Sequence, residues 1–383
     1  LGAKPLLMAP VKHVLGISGG KDSAALAIYL KDKHPDLPVE YYTCDTGKEL
    51  NETYELIKNL EVYLGQSIVK LEAAKDSPED TFDHFLQVYG GYLPSAMARW
   101  CTKKLKLDPF EQYIAGDDPV ISYVGIRGDE QREGYISKRP NIQSTFPFRK
   151  NIWSEDVVRK VLSNGQIAFI KGLYEEYVAD SPHLERLIEI VEEPVSPRLT
   201  QDQKLDLLLD LDIKGFNRVV FAFLKTTDYP LSKVDHFPLV DNDEVLVRDD
   251  IFRILRDSGV GVPAYYEKRE YQVEIDGEIK TGHYSRSRSG CFFCFFQQKI
   301  EWVWLYENHP ELYAKAQDYE KDGYTWQQGE TLEELSQPER RQAIKREHYL
   351  RTERQRNNAQ SDSLIDILGV EDAEGVGCAA CFL

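Results

Sequence analysis

A short apolar run, His13–Ile17, passes directly into Ser18-Gly19-Gly20-Lys21-Asp22-Ser23 and then into apolar residues at helical spacing. The run is short, carries Val, Leu and Ile, and ends on paired glycines, so it reads as a buried strand. Ala24, Leu26, Ala27 and Leu30 place a helix over Asp22–Lys33. Strand, glycine turn and helix together form the unit from which parallel α/β sheets are assembled. The pattern repeats with a strand at Val39–Cys44 that stops at Asp45-Thr46-Gly47, a helix over Glu49–Leu64 and a strand near Ser67–Leu71. Val120–Val124 reads as a further strand leading into Gly125-Ile126-Arg127-Gly128-Asp129-Glu130-Gln131-Arg132. These elements predict an α/β fold with a twisted parallel sheet and helices on both faces. Ligands of such sheets sit at the carboxyl ends of the strands, where the glycine loop, Asp45-Thr46-Gly47 and the Gly125–Arg132 run converge.

Beyond this block the chain changes character. From Val157 to Asp235 it reads as acidic, leucine-rich helical segments, with Thr200 and Gln203 spaced as a capping box. A helix over Asp249–Asp257, a loop at Val262-Pro263-Ala264-Tyr265-Tyr266 and a hairpin over Tyr271–Tyr284 around the turn pair Asp276-Gly277 come next. Cys291-Phe292-Phe293-Cys294 precedes a tryptophan-rich helix from Gln297 to Asn308, and a charged helical tail closes on Cys378-Ala379-Ala380-Cys381. The expected division is an α/β domain carrying the glycine loop at 1–156, a helical insertion at 157–240, a return to the core carrying the cysteine pair at 241–310, and a charged helical tail at 311–383.

With 42% hydrophobic and 29% charged residues, the chain has a globular balance rather than a disordered one. A net charge of −17 is unfavourable to broad nucleic-acid contact. The exception is Glu339–Arg356, which holds Arg340, Arg341, Lys345, Arg346, Arg351, Arg354 and Arg356. A solvated helix laced with ion pairs is favoured there over nucleic-acid contact. The apolar stretch around Leu6–Met8 is too short for a secretory leader, and no run approaches the ~18 residues of a membrane helix. A cytoplasmic protein without membrane association is therefore expected, its start at Leu1 being processed or replaced. In that compartment six cysteines are not a disulfide framework but metal ligands, sulfur chemistry or core. The ending Ala380-Cys381-Phe382-Leu383 puts no cysteine where prenylation needs one.

A phosphate loop needs glycine where backbone approaches the anion, inward-pointing donors and a helix start facing the phosphates. Gly19 and Gly20 supply the approach, Ser18 and Ser23 offer hydroxyls, and Lys21 adds a point charge. The spacing is not that of a Walker A loop, which points away from γ-phosphate hydrolysis. On this six-residue motif the chain resembles the PP-loop ATP pyrophosphatases, which have the adenine-nucleotide α-hydrolase fold. Within that superfamily several blocks resemble the phosphoadenylyl-sulfate reductase group. They are Asp45-Thr46-Gly47 with Glu52-Thr53, Arg99 with Cys101 and Lys104, Gly125-Ile126-Arg127 with Glu130 and Arg132, and Trp153-Ser154-Glu155-Asp156-Val157. The resemblance implies that Ser18, Gly20, Lys21 and Ser23 hold the phosphates of ATP and that Asp45 and Thr46 lie by the nucleoside, with Gly125 beside them. It also implies that Arg127 reaches the substrate anion, the alternative for Arg127 being a surface ion pair. Mg2+ bridging the phosphates is expected, with Asp22 a candidate for its second shell. Lys21, Asp22 and Arg127 are the candidate catalytic residues.

Cys291 and Cys294 have the two-residue spacing with which adjacent thiolates grip one metal or cluster. Their aromatic surroundings also allow plain core packing. Cys101 falls where iron-sulfur members of the resembled group place a ligand, so a 4Fe-4S cluster on Cys101, Cys291 and Cys294 is implied, with zinc as the alternative. Cys378, Cys381 or Cys44 would complete the site, unless one iron stays open to hold sulfur. Cys378 and Cys381 are alternatively a sulfur relay or an unstructured tail, and Cys44 by itself reads as a core thiol.

The segment Gly290–Gln298 followed by Glu301-Trp302, together with the insertion, most resembles the ATP-pyrophosphatase subunit of bacterial DNA phosphorothioation systems, the DndC and SspD type. That likeness implies sulfur transfer to an acceptor activated by adenylylation in bacterial defence, a cysteine desulfurase as persulfide donor, further phosphorothioation subunits, and DNA met through the complex. The rivals are an adenylyl-sulfate or phosphoadenylyl-sulfate reductase, a tRNA thiolation enzyme, and a nucleotide-binding scaffold without turnover.

Overall fold

A computed structural model of the protein describes residues 10–130, 137, 139–321 and 323–359. At its centre lies β1 (Lys12–Gly16), whose run of β-formers is shielded on both faces. β2 (Val39–Cys44), β3 (Val69–Leu71), β4 (Val120–Tyr123) and β5 (Ile142–Thr145) join it in a five-stranded sheet of order β3-β2-β1-β4-β5. Every pairing is parallel: His13 lies opposite Val39 on one side and Ile121 on the other, and Val120 lies opposite Ile142.

Alternation along the strands feeds two cores. Leu15, Tyr41, Ile121 and Tyr123 face α1 (Lys21–Lys33) and α2 (Asn51–Leu64), while Val14, Tyr42, Leu71, Val120 and Ile142 face Phe110 and Ile114 at the Asp108–Tyr113 helix. Helices thus cover both faces, as expected from the sequence. α1 is apolar almost all round, with Ala24, Ala25, Leu26 and Ala27 fully buried, because the Arg248–Asp257 helix packs on it as well. β5 was not expected as a strand.

Helices at Ile167–Tyr177, Leu184–Glu192, Gln201–Leu211 and Ile213–Leu224 fill the middle of the chain. The Thr200–Gln203 capping box forms as expected. Leu187, Phe216, Val219 and Val220 enter the same apolar core as α1. A chain of buried amides ties this region to the sheet: Trp153 Nε1 donates to Asn217 Oδ1 (2.9 Å), Asn217 Nδ2 to the Asn242 carbonyl (3.1 Å), and Asn242 Nδ2 to the Pro147 carbonyl (2.8 Å). Tyr29 on α1 donates to Asn242 Oδ1 at 3.1 Å.

A second core forms on a separate antiparallel hairpin, β6 (Arg269–Ile275) and β7 (Glu278–Tyr284). Its turn places Asp276 and Gly277 at φ 51° and 86°, the left-handed pair that a two-residue hairpin requires. Tyr271, Val273 and Tyr284 pack with Trp302 and Trp304 of the Lys299–Asn308 helix and with Ile344 of the Pro338–Ala359 helix. The basic patch on that last helix is ion-paired: Arg340 meets Glu330, Arg341 and Lys345 meet Glu307, and Arg346 meets Asp276. Among the described residues, no helix is long and apolar enough to cross a membrane.

Candidate active site at the phosphate loop

β1 hands the chain to the loop as Ile17 N donates to the Tyr42 carbonyl (2.6 Å), and α1 begins at Lys21. Gly20 is its N-cap and has no side chain to accept from the first helical amides, so the positive end of a 13-residue helix faces the loop unmasked by its own cap. Gly19 sits at φ +72°, and a Cβ there would lie 2.2 Å from Thr53 Cγ2. A Cβ on Gly20 would lie 2.7 Å from Ser289 Oγ. Ser23 Oγ accepts from Ser18 N (3.2 Å), lies 3.2 Å from Ser18 Oγ and donates to the Gly20 carbonyl (3.3 Å). The two hydroxyls therefore pin the turn from within.

The charges at the loop are buried and interlocked. Asp22 takes Lys21 Nζ on one oxygen (3.2 Å) and Arg127 Nη1 on the other (3.0 Å). Arg127, 1% exposed, also meets Asp129 and Glu130, each at 2.9 Å. Gly125 at the end of β4 makes this possible, since a Cβ there would stand 2.9 Å from the Asp22 carbonyl oxygen. The structure thus brings Lys21, Asp22, Gly125 and Arg127 together, with Arg127 inside the protein rather than in a surface pair. Arg132 lies outside the described residues.

At the end of β2, Asp45 accepts from Lys70 Nζ (2.6 Å), Gly47 N (2.7 Å) and Tyr54 OH (3.1 Å). Burial raises its carboxyl, but these donors outweigh burial and hold it below the usual carboxylate range. Neighbouring Glu49 is pushed the other way, by burial and by the Asp45 charge. Thr46 Oγ1 donates to Glu49 Oε1 (2.7 Å) and lies 3.2 Å from Cys291 Sγ. A cleft of about 1110 Å³ opens beside this strand end, lined by Gly47, Lys48, Glu49, Tyr54, Asp83 and Tyr319 among others.

Cys291 and Cys294 lie one turn apart, Cys294 N donating to the Cys291 carbonyl (3.1 Å). Burial, with Glu49 beside Cys291, pushes the Cys291 thiol up, and burial does the same to Cys294. Cys44, raised to about 11 by burial, donates to the Lys106 carbonyl. Among the described residues, no group of three or more His, Cys, Asp and Glu is placed to hold a metal ion. Cys101 and Cys291 both pack against the second apolar core. Cys378 and Cys381 lie outside the described residues.

Several site residues gave no signal in the sequence. Tyr265 OH donates to the Gly19 carbonyl (3.0 Å), Lys21 N donates to Tyr266 OH (3.3 Å), and Ser289 Oγ donates to the Ser18 carbonyl (3.4 Å). Lys21 Nζ also lies 5.2 Å from the centre of the Tyr266 ring. The Tyr265-Tyr266 pair following Pro263 was the one visible hint, and no local pattern connects it to the loop.

Fold and loop together define a parallel α/β domain of the adenine-nucleotide α-hydrolase type. Residues 12–170 match the family model of the phosphoadenosine phosphosulfate reductase domain. The chain is 30% identical to an uncharacterized protein, MJ0066, of Methanocaldococcus jannaschii over 164 residues, which is 39% of this chain and 31% of that protein. It is 29% identical to the adenosine 5'-phosphosulfate reductase of Allochromatium vinosum over 115 residues, 29% of this chain and 41% of that protein. The chain thus spans between about a third and two fifths of the length of the curated relatives it matches. No solved structure matches it.

Proposed function

We propose that the protein is an ATP pyrophosphatase that activates an acceptor by adenylylation for sulfur transfer, in bacterial DNA phosphorothioate modification. The observation that carries this reading is the loop at the start of α1, where Gly19 leaves no room for a Cβ, Gly20 gives the helix no side-chain cap, and Lys21 is the first helical residue. Its lack of Walker A spacing favours cleavage between the α and β phosphates. An acceptor oxygen attacks the α phosphorus, the bridge to the β phosphate breaks, and pyrophosphate leaves with the bonding pair. The outer sulfur of a cysteine desulfurase's persulfide then attacks the activated centre, AMP leaves with the oxygen, and a second thiol cleaves the resulting disulfide, leaving sulfur on the acceptor and the two thiols as a disulfide.

The chain's part is positioning and charge neutralisation. The first amides of α1 and Lys21 meet the charge growing on the leaving pyrophosphate. Asp22, held between Lys21 and Arg127, fixes the lysine in place. Both Asp22 oxygens are engaged by cations, which suits a second-shell position for Mg2+ entering with ATP, and no step is routed through the metal. DNA and the other phosphorothioation subunits would be met through the assembled complex.

The test is release of pyrophosphate and AMP from α-labelled ATP with no sulfate ester present, water serving as the acceptor in place of the true one. Wild type releases both, and Lys21→Ala lowers the rate by about 100-fold or more, the usual loss when one preorganised charge donor is removed. Undiminished release from the variant, or ADP and phosphate as products, would sink the reading. A second reading, reduction of adenylyl sulfate, is favoured by the likeness to the Allochromatium vinosum enzyme. It predicts sulfite from adenylyl sulfate and a dithiol, and no turnover of ATP alone.

A further inference from the structure

Buried cations among the described residues have their donors met by oxygen, and one of them is met only in part. Lys21 has Asp22, Arg127 has three carboxylates, Lys345 has Glu307, and Lys204 has the carbonyls of Val191 and Glu193 at 2.8 and 2.6 Å. Arg286 is 1% exposed, yet its Nη2 donates to a single carbonyl, that of Cys291 (3.1 Å), while Nε and Nη1 are buried with no partner. It pairs with no carboxylate among the described residues, although a buried, unpaired guanidinium is heavily penalised.

Its place in the fold shows where an anion would enter. Arg286 N donates to the Tyr265 carbonyl (2.9 Å), and its guanidinium stands 6.0 Å from the centre of the Tyr265 ring, whose hydroxyl bonds the Gly19 carbonyl. Three residues on, Ser289 touches the loop at Ser18. One phenol ring therefore separates the orphaned donors from the glycine turn. With Nη2 on the Cys291 carbonyl, the partnerless Nε and Nη1 remain as charge-assisted donors for the oxygens of an anion.

We propose that Arg286 forms a second oxyanion subsite beside the phosphate loop, receiving the phosphate or sulfate oxygens of the co-substrate that reacts with the nucleotide. This rests on the nucleotide-binding reading of the loop. Arg127, saturated by three carboxylates, is thereby left to position Asp22, and recognition of the second anion falls to Arg286.

The experiment is calorimetric titration of the full chain, first with a non-hydrolysable ATP analogue and then, at analogue saturation, with sulfate or with dimethyl phosphate. Wild type takes up one further anion, and Arg286→Met weakens that uptake by about tenfold or more, as expected for losing charge-assisted donors. Preference for dimethyl phosphate assigns the subsite to a phosphodiester, and preference for sulfate assigns it to a sulfate ester. Equal anion affinity in both proteins, or none in wild type, overturns the subsite while leaving the loop intact. Failure of the analogue to bind wild type overturns the nucleotide reading instead. If Arg286→Met does not fold, Arg286→Lys keeps the charge and removes the guanidinium's Nε and Nη1 donors, and undiminished anion affinity in it also overturns the proposal.

Discussion

Gly19 shows how narrowly single residues are fixed at this site. It adopts a left-handed backbone and leaves no room for a methyl group against Thr53, whereas Gly90, at φ +63°, has nothing near a hypothetical Cβ. Gly19→Ala is expected to cost about 1–2 kcal/mol from the backbone alone and more from the Thr53 contact. Gly90→Ala should show the backbone part only. Urea midpoints of the two variants measure the difference, and equal losses would remove the steric role assigned to Thr53. The motif residues were legible because glycine, serine and lysine after a buried strand carry their function in their own covalent geometry. Arg286, Tyr265 and Ser289 were not legible, because an arginine in Ser-Arg-Ser-Arg-Ser looks solvent-facing until the fold buries it.

At the scale of elements, the Pro338–Ala359 helix is held to the hairpin by an imidazole. His348 Nδ1 lies 2.7 Å from Tyr271 OH, and burial, aided by Arg351, lowers its pKa from 6.5 to about 4. A histidine lowered in the folded state binds fewer protons there than when unfolded, so its contribution is full above pH 6.5 and is lost as pH falls toward 4. Thermal melts across that window should therefore show a shallower decline for His348→Gln than for wild type. Parallel slopes would show that the helix is indifferent to this ring. β1, α1, β2 and the hairpin could be read from pattern and turn chemistry, since apolar period and an Asp-Gly pair report directly on backbone. β5 could not, because Gln143, Ser144 and Thr145 are polar yet buried, and only a neighbour such as Leu231 N, donating to Gln143 Oε1 (3.1 Å), makes that position tolerable.

For the whole molecule, the apolar core of α1 does not stop where the family match stops at residue 170. Phe216, Val219, Val220 and Ile251 complete it, and Asn217 and Asn242 answer Trp153, Pro147 and Tyr29. A fragment comprising residues 1–170 is accordingly expected to lack cooperative unfolding and to bind an apolar dye, as a chain with an open core does. A sharp melt for that fragment would show the α/β part to be self-sufficient. The brace on the phosphate loop has a consequence of another kind. Tyr265 and Ser289 reach back across 246 and 271 positions to hold a turn that is synthesised well before them. A message broken before they are translated would yield a product that still displays the recognisable motif but offers nucleotide no firm seat.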